Sequence, residues 1–351
     1  MARRWSVVAR ALLAAGGVGY LAWKVPADLR SAAPSLGGVP PVRWGWLAAA
    51  VLLAVASLAA YGEMHRRLLS AGGRHVPAVP VQEMTFAQNA VSQTVPAVGG
   101  PLSAGYAVSQ LRRLGIDTAL ATWVVVLAGA LTIATFVPLG LAALAWAGLL
   151  PVPVVAVVEL LAIGAITAAG ALLTRPRVLR RGVGVLAAAV AHVPSARRMA
   201  WTGDPGGAAE RVATRLSGVR PSGRQWAVLL GLAAGTWILD FLTLAAGFTV
   251  FATQLPWTAL AVGYLIVQVS IAVQITPGGA GLADAGLFGA LVAFGVAPGA
   301  AAGAALTYRG IAWLGMAVLG WVAYGRRALR RRQPATVTAL PTARKEESRA
   351  A

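Results

Sequence analysis

The sequence of 351 residues contains no cysteine, only three histidines and few charges, 12% of residues, of which just 11 are acidic. The first absence excludes disulfides, thiolate metal sites and cysteine nucleophiles. His65, His75 and His192 read as residues of polar connections rather than of one cluster, so no metal site is expected. There is also no P-loop, no serine with a nearby histidine, no paired carboxylates and no aspartate-rich donor motif. The chain is therefore read as a non-enzyme that carries no cofactor.

What the sequence has instead is apolar length. It is 58% hydrophobic, with runs near residues 6–23, 44–62, 117–140, 154–174, 226–252 and 302–324 that are long enough to cross about 30 Å of hydrocarbon. The expectation is an all-α, polytopic membrane helix bundle of about six full spans. The run at 6–23 follows Arg3 and Arg4 but ends without a small-residue cleavage site, so it reads as a retained span.

A formal charge of +19 raises the question of nucleic acid. The basic residues instead flank apolar segments, which is the pattern of membrane topology and of contact with anionic lipid headgroups at the cytoplasmic face. MARR, HRRL, the pair Arg112–Arg113, RPRVLRR at 175–181 and RRALRRR at 326–332 place both termini in the cytoplasm of a plasma-membrane protein. The integral membrane domain covers 1–332. Its first half lies at about 43–140 and its second at about 224–324, joined through a basic connection at 175–224. Residues 333–351 are expected to be a disordered cytoplasmic tail.

Parity then requires two excursions that enter and return on one side, at 77–114 and 257–298. Each is broken by proline and glycine: Pro96, Gly99, Gly100 and Pro101 in the first, Pro277, Gly278, Gly279 and Gly281 in the second. Each reads as a helical hairpin, either re-entrant or fully crossing. QTVPAVGGPLSAG (93–105) and QITPGGAGLADAG (274–286) align without a gap at a spacing of 181, and the flanking spans follow the same offset. Paired interrupted segments of this kind point to an inverted repeat.

Such breaks free backbone groups that lipid cannot satisfy, so they must face protein or a polar cavity. Asn89 and Gln93, like Ser270 and Gln274, are four residues apart and lie on one helical face leading to a proline. They either bond neighbouring helices or line a path. Asp284 opens the helix after the second break, and Arg309 interrupts the last span, so a pair between them would neutralise both. Asp240, in TWILDFLT, is a further intramembrane acid.

PGGAGLADAGLFGALVAFGV, the later LTYRGIAWL and, more weakly, VPAVGGPLSAGYAVSQLRRLGI resemble the transmembrane region of the lysylphosphatidylglycerol synthase family, also described as flippase-like. Pro277, Gly278, Gly279, Ala280, Gly281 and Asp284 match its second motif, with Asp in place of the usual Glu. Tyr308 and Arg309 match its tyrosine–arginine pair. The first half departs, with Pro101 and Ala104 where relatives have charges, and Val126 and Leu127 where they have an acid–arginine pair. The soluble aminoacyl-transferase domain of bifunctional relatives has no counterpart in these residues. The resemblance implies movement of lipids or lipid-linked molecules between leaflets, with membrane lipids as partners. Two alternatives stand beside it: an intramembrane enzyme using Asp240 or Asp284 as acid or base, and a non-transporting membrane partner.

Overall fold

The computed structural model describes residues 42–95, 98–173, 221–251, 254–273 and 276–330. The expected span at 6–23, most of the 175–224 connection, the tail, Pro96 and Gln274 lie outside the described residues. Within them the regular structure is all helical: α1 (Trp44–Ala71), α2 (Ala78–Thr94), α3 (Gly99–Arg113), α4 (Thr118–Trp146), α5 (Val152–Leu173), α6 (Gly223–Thr249), α7 (Trp257–Val273), a 3-10 turn (Pro277–Gly279), α8 (Leu282–Ala293), α9 (Pro298–Tyr308), a π-helical segment (Arg309–Gly315) and α10 (Met316–Arg330).

Among these, α1, α4, α6 and the continuous run from α9 through α10 are long and apolar enough to cross a membrane. The hairpin arms α2, α3, α7 and α8 have 17, 15, 17 and 12 residues. At 1.5 Å per residue even the longest covers only about 25 Å, short of the hydrocarbon thickness.

The start and end signals are local. Asp117 caps α4 by accepting from the Leu120 amide at 2.9 Å. Ser222 and Gln225 form a reciprocal capping box at the start of α6. The turns that close the two hairpins are alike: Gly115 and Gly295 both have positive φ. The following amides, of Ile116 and Val296, bond back to the carbonyls of Leu111 and Leu291. The same C-terminal motif also ends α1 at Gly73 and α4 at Gly148, and in the two hairpins it recurs 180 residues apart.

The helix order α1–α2–α3–α4 is thus repeated as α6–α7–α8–α9/α10. The counterpart helices α1 and α6 pack on each other extensively. Ala50 and Ala54 share a cluster with Ala246, Ser57 Oγ donates to the Thr236 carbonyl at 2.8 Å, and Met64 and Leu68 share a cluster with Leu229 and Ala233. Residue numbers rise along one helix as they fall along the other, so the pair is antiparallel, as inversion demands.

Two local expectations are corrected. Gly99, Gly100 and Pro101 are not part of the first break but form the first turn of α3, where proline's missing N–H costs nothing. Gly99 is required there by close approach, since a Cβ would strike the Ser92 carbonyl. His65 does not lie in a polar connection. Helix α1 extends nine residues past the apolar run, and His65 is fully buried in it, with Nδ1 3.0 Å from the Tyr61 carbonyl and its ring edge-on to Tyr61.

Candidate functional site

The second break is built on left-handed backbone. Gly278, Gly279 and Gly281 have φ of 57°, 69° and 85°, a region costly for residues with a Cβ. This turns the chain through the 3-10 turn and into α8. Asp284 sits in the first turn of α8 and its Oδ2 accepts from the Gly281 amide at 2.8 Å, so the carboxylate satisfies a free helix-start donor and meets the positive end of the helix dipole.

The other oxygen, Oδ1, accepts from Arg309 Nε at 2.7 Å. Arg309 Nη2 also donates to the Gly278 carbonyl at 2.5 Å, and its guanidinium lies 4.9 Å from the Trp313 ring centre. One arginine therefore occupies an acid, a carbonyl freed by the break and an aromatic face, which removes the cost of an unpaired ion at this depth. The Arg309 side chain is 7% exposed, whereas Asp284 remains 31% exposed. Arg309 opens the π-helical segment, whose wider turn re-aims side chains within an otherwise regular helix.

Trp313 links the two hairpins. Its Nε1 donates to the Gln93 carbonyl at 3.3 Å, one residue before the end of α2, and its indole occupies the space a Cβ on Gly278 would need. The 3-10 turn also packs on α2. The broken ends of both halves thus converge on one tryptophan.

A second cluster lies beside the first through adjacent residues of α9 and the π segment. Asp240 Oδ2 accepts from Tyr264 Oη at 3.0 Å, Gln268 Nε2 at 2.8 Å and Tyr308 Oη at 3.0 Å. Three donors on one oxygen hold the acid between α6, α7 and α9 and leave Oδ1 without a donor among the described residues.

Of the residues singled out from sequence, the structure brings together Asp284 with Arg309, and Tyr308 with Asp240. Gln93 joins through its carbonyl rather than its amide. Asn89 is half-buried and makes no hydrogen bond to a described residue. Ser270 is buried and its hydroxyl donates to the Ile266 carbonyl of its own helix at 2.7 Å. Sequence reasoning missed Tyr264, Gln268 and Trp313. The spacing of four between Tyr264 and Gln268, and between Arg309 and Trp313, was the available signal. Among the described residues no group of three or more His, Asp or Glu side chains gathers as a metal site would need.

No curated protein matches the chain. The sequence profile described as the lysylphosphatidylglycerol synthase TM region matches residues 7–320, which spans both halves and both hairpins. With its membrane-spanning helices, the chain is a multi-pass membrane protein that belongs to the lysylphosphatidylglycerol synthase TM region family.

Proposed function

We propose that the protein translocates a lipid, or a lipid-linked molecule, between leaflets of the plasma membrane, with both termini cytoplasmic. The headgroup passes between the two broken hairpins while the tails stay in the bilayer. The observation that carries this reading is the Arg309–Asp284 pair at the convergence of the breaks, with Asp284 still partly exposed.

The chemistry is an exchange of partners. An anionic phosphate competes for Arg309 and the positive group of a zwitterionic headgroup competes for Asp284, so the pair opens as the headgroup binds and closes behind it. Asn89, Gln93 and Asp240 Oδ1 supply polar contacts along the path, and the freed carbonyls and amides of the breaks supply others. The basic ends of α10 and of the span helices attract anionic headgroups at the cytoplasmic face.

The test is translocation of fluorescent phospholipids in vesicles reconstituted with Asp284→Asn and Arg309→Ala proteins. Both variants are expected to lose translocation while still inserting. Unchanged translocation in both removes the pair from the mechanism.

A further inference from the structure

The inverted repeat sets up two equivalent crossings, each between the second helix of one half and the fourth helix of the other. In one, α2 runs against α10: Trp313 meets Gln93, Gly320 meets Phe86 and Ala90, and Arg327 bonds the Pro80 carbonyl. In the other, α7 runs against α4, with Gly140 beside Leu265. Gly140 and Gly320 lie 180 residues apart and occupy the same place in the two crossings.

Their surroundings differ. At Gly320 a Cβ would collide with the Phe86 carbonyl and lie 2.6 Å from the Ala90 Cβ, so the helices touch backbone to backbone. At Gly140 the sole neighbour of a Cβ among the described residues is the tip of Leu265 at 3.2 Å. Helix α4 also contains Pro138, which costs it a main-chain hydrogen bond beside this crossing, where α10 has Val318. One crossing is shut. At the other a groove of about 190 Å³ opens between α4, α6 and α7.

The groove is apolar by arrangement as well as by composition. Its walls include Phe136, Ala143, Trp146, Phe241 and Leu265. Three lining side chains carry a polar atom: Trp237 Nε1 donates to the Thr132 carbonyl at 2.8 Å and Tyr264 Oη donates to Asp240, so both turn it elsewhere, while Trp146 stands at the end of α4. The surface around its mouth carries exposed Leu139 and Ile238, and Trp146 at the end of α4 is 60% exposed, as a ring at the membrane interface would be. A mouth on the apolar surface of a span helix such as α4 would open toward hydrocarbon. Tyr264 belongs to both the groove and the Asp240 cluster, so an apolar seat is continuous with the polar site.

We propose that this groove is the seat of an acyl chain of a membrane phospholipid, and that it is the single lateral portal of the pair, its counterpart at Gly320 being closed. The occupancy stands on the groove itself; its use as a portal rests on the lipid-translocation reading above.

The test places the photoreactive residue p-benzoylphenylalanine at Ala143 in the groove, at its counterpart Ala323, and at the exposed Ile133 on α4, in full-length protein reconstituted in phosphatidylglycerol and phosphatidylethanolamine vesicles. Lipid adducts identified by mass spectrometry are expected severalfold above the Ile133 level at Ala143, and not at Ala323. Adducts at Ala143 no more frequent than at Ile133 overturn the seat, as do adducts to a second copy or to another segment of the same chain. Ala143→Trp, which fills the groove, is expected to slow translocation with thermal stability unchanged. Translocation unaffected by Ala143→Trp overturns the portal. If Ala143 captures lipid but the native protein moves none, the translocation reading fails and the seat stands. If the native protein translocates and Ala143 captures none, the seat alone fails.

Discussion

In the first half, Ser103 donates to the Gly100 carbonyl of its own helix at 2.8 Å; at the matching position in the second half, Asp284 leaves its helix to meet Arg309 at 2.7 Å. The same contrast holds around Asp240, whose counterpart is Ala59. Where the second half gathers Tyr264, Gln268 and Tyr308 on a carboxylate, the first has Gln82 donating to the Ala59 carbonyl at 2.9 Å and Thr85 donating to Val81. At these matching positions the first half bonds backbone carbonyls, whereas the second couples side chains from different helices. The first half does use ions at its hairpin, but on backbone: Arg74 donates to the Gly115 carbonyl of the closing turn at 3.0 Å, and Arg327 bonds the Pro80 carbonyl at the start of α2.

The most severe test of that contrast is Arg309→Ala. It strands Asp284, frees the Gly278 carbonyl and uncovers Trp313, and removing one member of a largely buried pair costs about 3–5 kcal/mol, less here because Asp284 is partly exposed. A large drop in thermal unfolding temperature is expected, with the double variant Asp284→Asn/Arg309→Gln milder than the sum of its singles. Ser103→Ala, the first-half control, should stay within about 0.5 kcal/mol. Equal and small effects at both positions would erase the difference between the halves.

Next in size is a pair of identical substitutions at equivalent glycines. Gly320→Ala forces α10 off the Phe86 carbonyl, an overpacking cost of about 1–3 kcal/mol. Gly140→Ala meets only a flexible leucine tip and gains helix propensity, about 0.5–1 kcal/mol, so it should be neutral or slightly stabilising. Denaturation of the two proteins in the same lipid nanodiscs compares the crossings directly. Similar losses at both would mean that the groove beside Gly140 closes in the bilayer.

Tyr264→Phe should cost about 1 kcal/mol, because Gln268 and Tyr308 continue to hold Asp240 Oδ2 and the ring keeps its packing on Phe241. If the three donors act as a network, Tyr264→Phe combined with Tyr308→Phe loses more than the sum of the two single changes. Simple additivity would make Asp240 a passive acceptor, no different in kind from the backbone carbonyls that serve the first half.

Much of this contrast is legible in the amino-acid sequence. Apolar run length locates α1, α4, α6 and the last span, and proline with glycine locates the hairpins, because lipid leaves so few ways to bury a free amide. The offset near 181 is visible in thirteen aligned residues, although the turn glycines Gly115 and Gly295 show that it slips by one. What stays hidden depends on how helices rotate and meet. His65 sits beside two arginines and reads as an edge, yet α1 continues past it and buries it. The partners of Asp240 come from residues 24, 28 and 68 positions away, and no local pattern states which helix faces which. Trp313 has the sequence surroundings of an ordinary core tryptophan, and only the packing of α2 on the last span sets its indole between the two breaks.

The smallest expected effect separates two residues that the sequence treats as equals. Asn89 and Ser270 are counterparts at 181, each four residues before a glutamine in the sequence, and each reads as lining a path. The Ser270 hydroxyl is taken up by its own Ile266 carbonyl, and such a bond adds little to a helix already complete. Ser270→Ala should therefore leave both thermal stability and translocation unchanged. The Asn89 side chain is half-buried and bonds no described residue, so its removal should also leave stability within about 0.5 kcal/mol, yet slow translocation if its amide meets a passing headgroup. Translocation rates of Asn89→Ala and Ser270→Ala in the same vesicle preparation decide it. A deficit in Ser270→Ala alone would put the polar path entirely in the second half, with its ions, and leave the first half as scaffold.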